Sequence, residues 1–127
     1  MPCPFQLEFR TRGSELQVVI RGDERHPEDV LDGWRRIAAE VQRRHSRRLL
    51  AITHVFAEPM SVEDMRDFFG GMKGLGLEGI RIAYVDMSGY KTSLLEMAEI
   101  MASEYGFSAR AFDNVIAAEI WLRHGGE

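Results

Sequence analysis

Six polar residues with the side chains needed for acid–base or metal chemistry follow the predicted strands of this chain. Histidine and carboxylate groups transfer protons and bind metals. Each of the six lies at or just past the carboxyl end of a predicted strand, and ligands bind at that edge of open α/β sheets. These candidate rim residues are His54, Glu58, Asp86, Ser88, Lys91 and Asp113. The alternative interpretation is that they are ordinary loop residues, which cap helices and satisfy backbone groups.

No recognised catalytic or metal-binding spacing accompanies the rim residues. The sequence has no H-E-x-x-H, G-x-S-x-G or C-x-x-C pattern, and its 4 histidines are scattered. Cys3 is the one cysteine, so an internal disulfide is excluded, and its place between two prolines offers no pocket to stabilise a thiolate. We therefore predict no metal, no cofactor and no assigned catalytic residue.

Two glycine-containing segments match parts of nucleotide-binding motifs but lack their context. Residues 74–79 match G-x-G-x-x-G, yet they leave a predicted helix and enter a strand, the reverse of a dinucleotide site. Residues 89–93 lack the first glycine and the Gly-Lys pair of a phosphate loop. We interpret the first segment as a turn, and the second as a loop in which Thr92 or Ser93 caps a helix.

Sequence periodicity predicts the strands that would position these residues. Two alternating segments at the start of the chain form a hairpin with a turn at residues 11–14. Residues 49–53 are apolar on both faces, as in a central strand. Residues 80–86 and 107–112 are the remaining strands, and helices alternate with them. Parallel strands need a crossover, usually a helix, so this alternation predicts a parallel sheet.

Apolar residues at helical spacing predict the helices. The first helix starts at Pro27, and the second helix follows Ser61, which is its N-cap. The third helix ends at Gly106, and a short apolar fourth helix begins at residues 113–114. We expect two ion pairs in the first helix, Asp32 with Arg36 and Glu40 with Arg44, and we expect Glu96, Glu99 and Glu104 of the third helix to face water. The stripes expected to be buried are Val30, Trp34, Ile37, Ala38 and Val41 in the first helix, Val62, Met65, Phe68, Phe69 and Met72 in the second, and Leu94, Met97, Ala98, Met101 and Tyr105 in the third.

The predicted fold is one α/β domain over residues 1–127, with an N-terminal β-hairpin followed by parallel βαβαβ units in the order ββαβαβαβα. Its 45% hydrophobic and 28% charged residues are typical of globular proteins. The net charge of −4 argues against nucleic-acid binding, and neither a secretory signal nor a membrane-spanning run is present, so we expect a cytoplasmic protein. Arginines crowd the first half and the second half is acidic in net charge, a distribution that favours docking to a partner or self-association.

Four parts of the chain resemble a known family of proteins. They are the hairpin, the strand at 49–53, the strand Arg81-Ile82-Ala83-Tyr84-Val85, and the ending, in which Ala111-Phe112-Asp113 is followed by residues 117–122. The chain is similar to the uncharacterised SpoIIAA-like members of the bacterial STAS-type domains. Anti-sigma-factor antagonists of this type carry a phosphorylatable Asp-Ser pair after the central strand. Residues 53–61 contain no such pair, so the resemblance implies the fold but not the phosphorylation switch.

Three functions follow from these observations. The first is a non-enzymatic, STAS-like regulatory module that docks to a protein partner or to itself, including as a homodimer. The second is a protein that binds a small apolar or lipid-like ligand, because methionines and aromatic residues are frequent around the second and third helices and STAS relatives are linked to such ligands. The third is an enzyme that uses the rim around His54, Glu58 and Asp86.

Overall fold

The chain alternates strands and helices as its periodicity predicts. The computed structural model describes residues 6–22, 27–54, 61–87 and 92–124. In these residues the strands are β1 (Gln6–Arg12), β2 (Glu15–Arg21), β3 (Arg48–Thr53), β4 (Arg81–Asp86) and β5 (Ser108–Phe112), and the helices are α1 (Pro27–Arg44), α2 (Val62–Met72), α3 (Thr92–Glu104) and α4 (Val115–His124). The predicted order ββαβαβαβα is therefore confirmed. None of the described helices is both long and apolar enough to cross a membrane.

The strands form one mixed sheet in the order β1-β2-β3-β4-β5. β1 is antiparallel to β2, and each later pair is parallel, with Thr53 of β3 opposite Asp86 of β4. Right-handed crossovers that advance in one direction place all their helices on the same side of a sheet. Accordingly, α1, α2 and α3 cover one face, which we call the first face. Among the described helices, α4 alone covers the opposite face, which we call the second face.

The larger hydrophobic core lies between the first face and the three crossover helices. The whole predicted stripe of α1 is buried there, including Trp34 and Ile37. In α2, Met65, Phe68 and Met72 are buried as predicted, whereas Val62 of the same predicted stripe is 37% exposed in the first turn of the helix. These residues anchor the two helices because side chains spaced three or four apart share one helix face.

The second face has a smaller core under α4. Leu50 and Ile52 of β3 and Ala83 of β4 pack there against Ala118 and Leu122 of α4. Side chains alternate between the two faces of a strand, so β3 contributes to both cores. All residues from 49 to 53 are buried, which confirms the prediction of a central strand.

The hairpin turn is tighter than predicted. β1 continues to Arg12 and β2 begins at Glu15, so the loop is Gly13 and Ser14 rather than residues 11–14. Two-residue hairpin loops need a positive φ, and Gly13 has a φ of 62°. Glycine adopts this angle without steric cost, which is why two residues suffice.

The predicted helix caps at Ser61 and Gly106 are confirmed. The Ser61 hydroxyl accepts a hydrogen bond from the backbone N–H of Asp64 at 3.1 Å. Gly106 has a φ of 91°, and the N–H of Phe107 reaches back to the carbonyl of Ala102 at 2.9 Å. This backbone pattern satisfies carbonyls that the helix end leaves free, and it buries Phe107 rather than extending β5 to it.

Several side chains of α1 and α3 lie elsewhere than predicted. Asp32 pairs with Arg35 at 2.8 Å rather than with Arg36. Met97 is 39% exposed because α3 turns Met101 and Ala102 inward. Glu99 accepts the backbone N–H of Ala111 at 2.6 Å and so does not simply face water. Ala111 lies in β5, the last strand of the sheet among the described residues, so that N–H has no strand partner there.

Candidate functional site

Three of the six candidate rim residues lie in the described part of the chain, and all three are at the predicted edge. His54 directly follows β3, Asp86 ends β4, and Asp113 directly follows β5. The strands are adjacent, so these residues occupy one end of the sheet. Glu58, Ser88 and Lys91 lie outside the described residues, as does Cys3.

The hydrogen bonds of His54 and Asp113 are typical of residues at the ends of strands and helices. The backbone N–H of His54 donates to the carbonyl of Ile20 at 2.8 Å, extending the β2–β3 pairing by one step. The exposed Asp113 carboxylate accepts from the side-chain amide of Asn114 at 2.9 Å, and Asn114 caps α4 by accepting the N–H of Ala117 at 2.8 Å. Over the described ranges, no three His, Cys, Asp or Glu residues are grouped so as to hold a metal. The rim as a catalytic site stays a prediction.

A small opening lies beside the rim, between α1 and the first face. Trp34 of α1 and Tyr84 of β4 line it, their rings stacked with centroids 6.5 Å apart. Its lining is largely apolar, and the opening has room for about one water molecule. This space does not accommodate a lipid or another small apolar ligand with the side chains in their present positions.

The glycine-rich segment at residues 74–79 has the geometry of a turn. It lies between α2 and β4, so it leaves a helix and enters a strand as predicted. The Glu78 carboxylate accepts the N–H of Gly74 at 2.6 Å, and this hydrogen bond lowers the pKa of Glu78. Gln42 of α1 donates to the carbonyl of Gly76 at 3.0 Å. The backbone of the segment is thereby engaged by side chains of the protein itself.

The feature that sequence reasoning missed is the outward side of α4. Ile116 is 72% exposed and Ile120 is 57% exposed, although the opposite side of the helix is packed on the second face. The two isoleucines are four residues apart, so they lie side by side on one helix face. The available signal was the composition of α4, whose sequence VIAAEIWLRH is apolar nearly all round. Helices of this kind are normally covered on every side.

The inward side of α4 is firmly attached to the sheet. Trp121 packs on Phe112 of β5, with ring centroids 5.8 Å apart. The Arg81 guanidinium lies 5.4 Å from the Trp121 ring and donates to the carbonyl of Leu122 at 3.2 Å. A cation at this position also opposes the negative end of the helix dipole. α4 is therefore a fixed platform that presents Ile116 and Ile120.

The strands put basic side chains around this platform. Successive side chains of a strand point to opposite faces of the sheet, and the side chains that point to the second face include many arginines. Ion pairs confirm the placement: Arg12 lies 3.8 Å from Glu119 of α4, and Arg123 of α4 lies 3.4 Å from Glu15 of β2. The basic residues on the second face and its helix are Arg10, Arg12, Arg21, Arg48, Arg81, Arg110 and Arg123.

The outer surface of α2 and α3, on the other side of the sheet, is acidic. Its acidic residues are Glu63, Asp64, Asp67, Glu96, Glu99 and Glu104. Arg66 is the one basic residue among the described side chains of these two helices. This surface also exposes apolar groups, since Ile100 is 63% exposed and Met97, one turn away, is 39% exposed. The surface of α2 and α3 and the basic surface around α4 thus carry opposite charge.

Comparison with known proteins gives no family. No family model matches the chain, and no curated protein is similar to it at a significant level.

Proposed function

We propose that this chain is a non-enzymatic, cytoplasmic protein-interaction module of the STAS-like, SpoIIAA-like type, and that the outward side of α4 is its docking surface. The observation that carries the proposal is the exposure of Ile116 and Ile120 on a helix whose other side is already packed on the sheet. Burying such side chains is favourable by about 1.5–3 kcal/mol each. Because Ile116 and Ile120 are 72% and 57% exposed, a partner that covers them gains the corresponding part of this free energy without reorganising the helix.

The charges around α4 indicate what the partner looks like. Arg12 is 73% exposed and Arg123 is 37% exposed at the side of the helix. A complementary surface presents apolar side chains at its centre and carboxylates at its rim. Electrostatic complementarity of this kind sets specificity and speeds association.

A protein surface fits this site better than nucleic acid or a lipid headgroup layer. Three of the arginines on the second face are within 4 Å of carboxylates of the chain: Arg12 with Glu119, Arg21 with Glu8, and Arg123 with Glu15. These carboxylates interrupt the positive surface, so they disfavour a continuous layer of phosphates, whereas a protein surface can place single carboxylates beside the arginines. Two isoleucines also offer far less apolar surface for insertion into a lipid layer than the apolar side of a membrane-surface helix does.

Site-specific photocrosslinking tests the proposal. A photoreactive residue at position 116 should crosslink a protein in the native cell, and Ile120→Gln in the same chain should abolish that crosslink. Ile120 is exposed, so this substitution should change the free energy of unfolding by no more than about 0.5 kcal/mol.

Met87→Gln is the matched control, because Met87 is 43% exposed and lies outside α4, directly after β4. It should leave the crosslink intact. If no crosslink forms, or if the crosslinked protein is retained in the Ile120→Gln chain, α4 is not the docking surface.

A further inference from the structure

The acidic surface of α3 has the features that the α4 surface requires of a partner. Ile100 lies at its centre with Met97 beside it, and Glu96 and Glu104 lie one turn before and one turn after Ile100. All four side chains are exposed. The α4 surface presents two isoleucines at its centre, and at its side it has Arg12 and Arg123, which share the carboxylate of Glu119. One molecule therefore carries both halves of a complementary pair.

We propose that the partner of the α4 surface is the α3 surface of a second copy of this chain. The proposal rests on the docking role of α4 stated above and names its occupant. In the contact, Ile116 and Ile120 of one copy pack against Ile100 and Met97 of the other. The exposed arginines at the α4 surface then face Glu96 and Glu104.

The two surfaces lie on opposite faces of the sheet, which determines the kind of assembly. α3 packs on the first face and α4 on the second, so a copy that uses its α4 surface keeps its α3 surface free. Such a contact is heterologous, and repeating it builds a ring or an open stack rather than a closed dimer. The assembly grows with protein concentration.

A symmetric contact between two α4 surfaces gains less from charge. It would join two surfaces on which Arg12 and Arg123 are already paired with Glu119 and Glu15, so it brings in no additional carboxylates. The alternative pairing of α4 with α3 joins opposite charges. Raising the salt concentration should consequently weaken the α4–α3 contact, because exposed charges are screened.

Sedimentation of the purified full chain over a range of concentrations tests the proposal. The wild-type protein and Met87→Gln should form species larger than a dimer, and added salt should dissociate them. Ile116→Gln/Ile120→Gln and Ile100→Gln should each weaken the association about tenfold or more, because each loses apolar burial on one side of the contact.

The decisive measurement is an equimolar mixture of the two variants. The α4 variant retains an intact α3 surface and the α3 variant retains an intact α4 surface. A heterologous contact therefore predicts a mixed dimer that grows no further. Circular dichroism should show that both variants fold like the wild type, since the substituted side chains are exposed.

Two results would overturn the inference. If Ile100→Gln alone assembles as well as the wild type, the contact does not involve α3. If the wild type stays monomeric at millimolar concentration, the partner is not a second copy of the chain. The docking role of α4 is then supported only if position 116 crosslinks to another protein and that crosslink still depends on Ile120. Loss of both the assembly and the crosslink rejects the docking role as well.

Discussion

Replacing Trp34 with alanine should remove a large part of the stability of this fold. Trp34 is 9% exposed and lies between α1, α2 and the first face of the sheet. Its ring meets Phe68 edge-on at 6.3 Å and stacks on Tyr84 at 6.5 Å. Truncating a buried tryptophan to alanine costs about 3–5 kcal/mol, and the aromatic contacts place this site in the upper half of that range.

Urea unfolding followed by circular dichroism at the helix band measures this loss. Fluorescence of Trp121, which remains in the variant, gives an independent signal from the other face of the sheet. Trp34→Phe is the matched control, because it keeps an aromatic ring near Phe68 and Tyr84 and should cost only about 1–2 kcal/mol. A loss below about 1 kcal/mol for Trp34→Ala would show that the ring is not a core residue.

Hydrophobic periodicity is sufficient to predict most of the elements of this fold. The stripe from Val30 to Val41 repeats at helical spacing, and all of its predicted members are buried. The apolar run ending at Thr53 is a strand buried on both faces. These elements follow from sequence because the spacing of apolar side chains determines which backbone geometry can place them on one side.

The details that sequence did not give depend on contacts between distant segments. Glu99 was expected to face water, yet it binds the N–H of Ala111, which only the position of β5 at the sheet edge leaves free. Met97 fits the helical stripe as well as Met101 does, and only the packing of α3 on β5 and α2 distinguishes them. Local spacing cannot report these relations.

The candidate sites differ in how much the sequence could show. Strand ends can be located from periodicity, so His54, Asp86 and Asp113 were correctly placed at one edge. The exposure of Ile116 and Ile120 could not be predicted, because it depends on which side of α4 the sheet covers. Composition alone indicated a helix that should be covered all round.

The charge asymmetry illustrates how topology changes the meaning of a sequence pattern. Along the chain, arginines are more frequent in the first half while carboxylates occur evenly in both halves, so the second half is acidic in net charge. In the folded protein the division lies across the sheet instead: side chains such as Arg12 and Arg110 reach the second face through strand alternation, whereas α2 and α3 carry carboxylates on the opposite side. The fold thereby turns a gradient along the chain into two complementary surfaces.

Three further perturbations test local parts of this account. Ser61→Ala should lower the free energy of unfolding by about 1 kcal/mol, whereas Ser61→Asp should retain most of it because aspartate also caps helices; equal losses in both variants would contradict the cap. NAD, ATP and GTP should leave the melting temperature unchanged, since residues 74–79 form a turn, and a saturable shift with any of them would refute that interpretation. The last test uses pH. Hydrogen bonds from Arg43 and then Arg44 lower the pKa of Glu40 from 4.5 to about 2, so its ion pairs stabilise the fold above pH 4.5 and are lost as the pH falls through about 2. Glu40→Gln should thus be less stable than the wild type at neutral pH, by less than about 1 kcal/mol because the pairs are near the surface. The difference should vanish as the pH approaches 2, and a difference that is the same at every pH would show that the charge of Glu40 does not contribute.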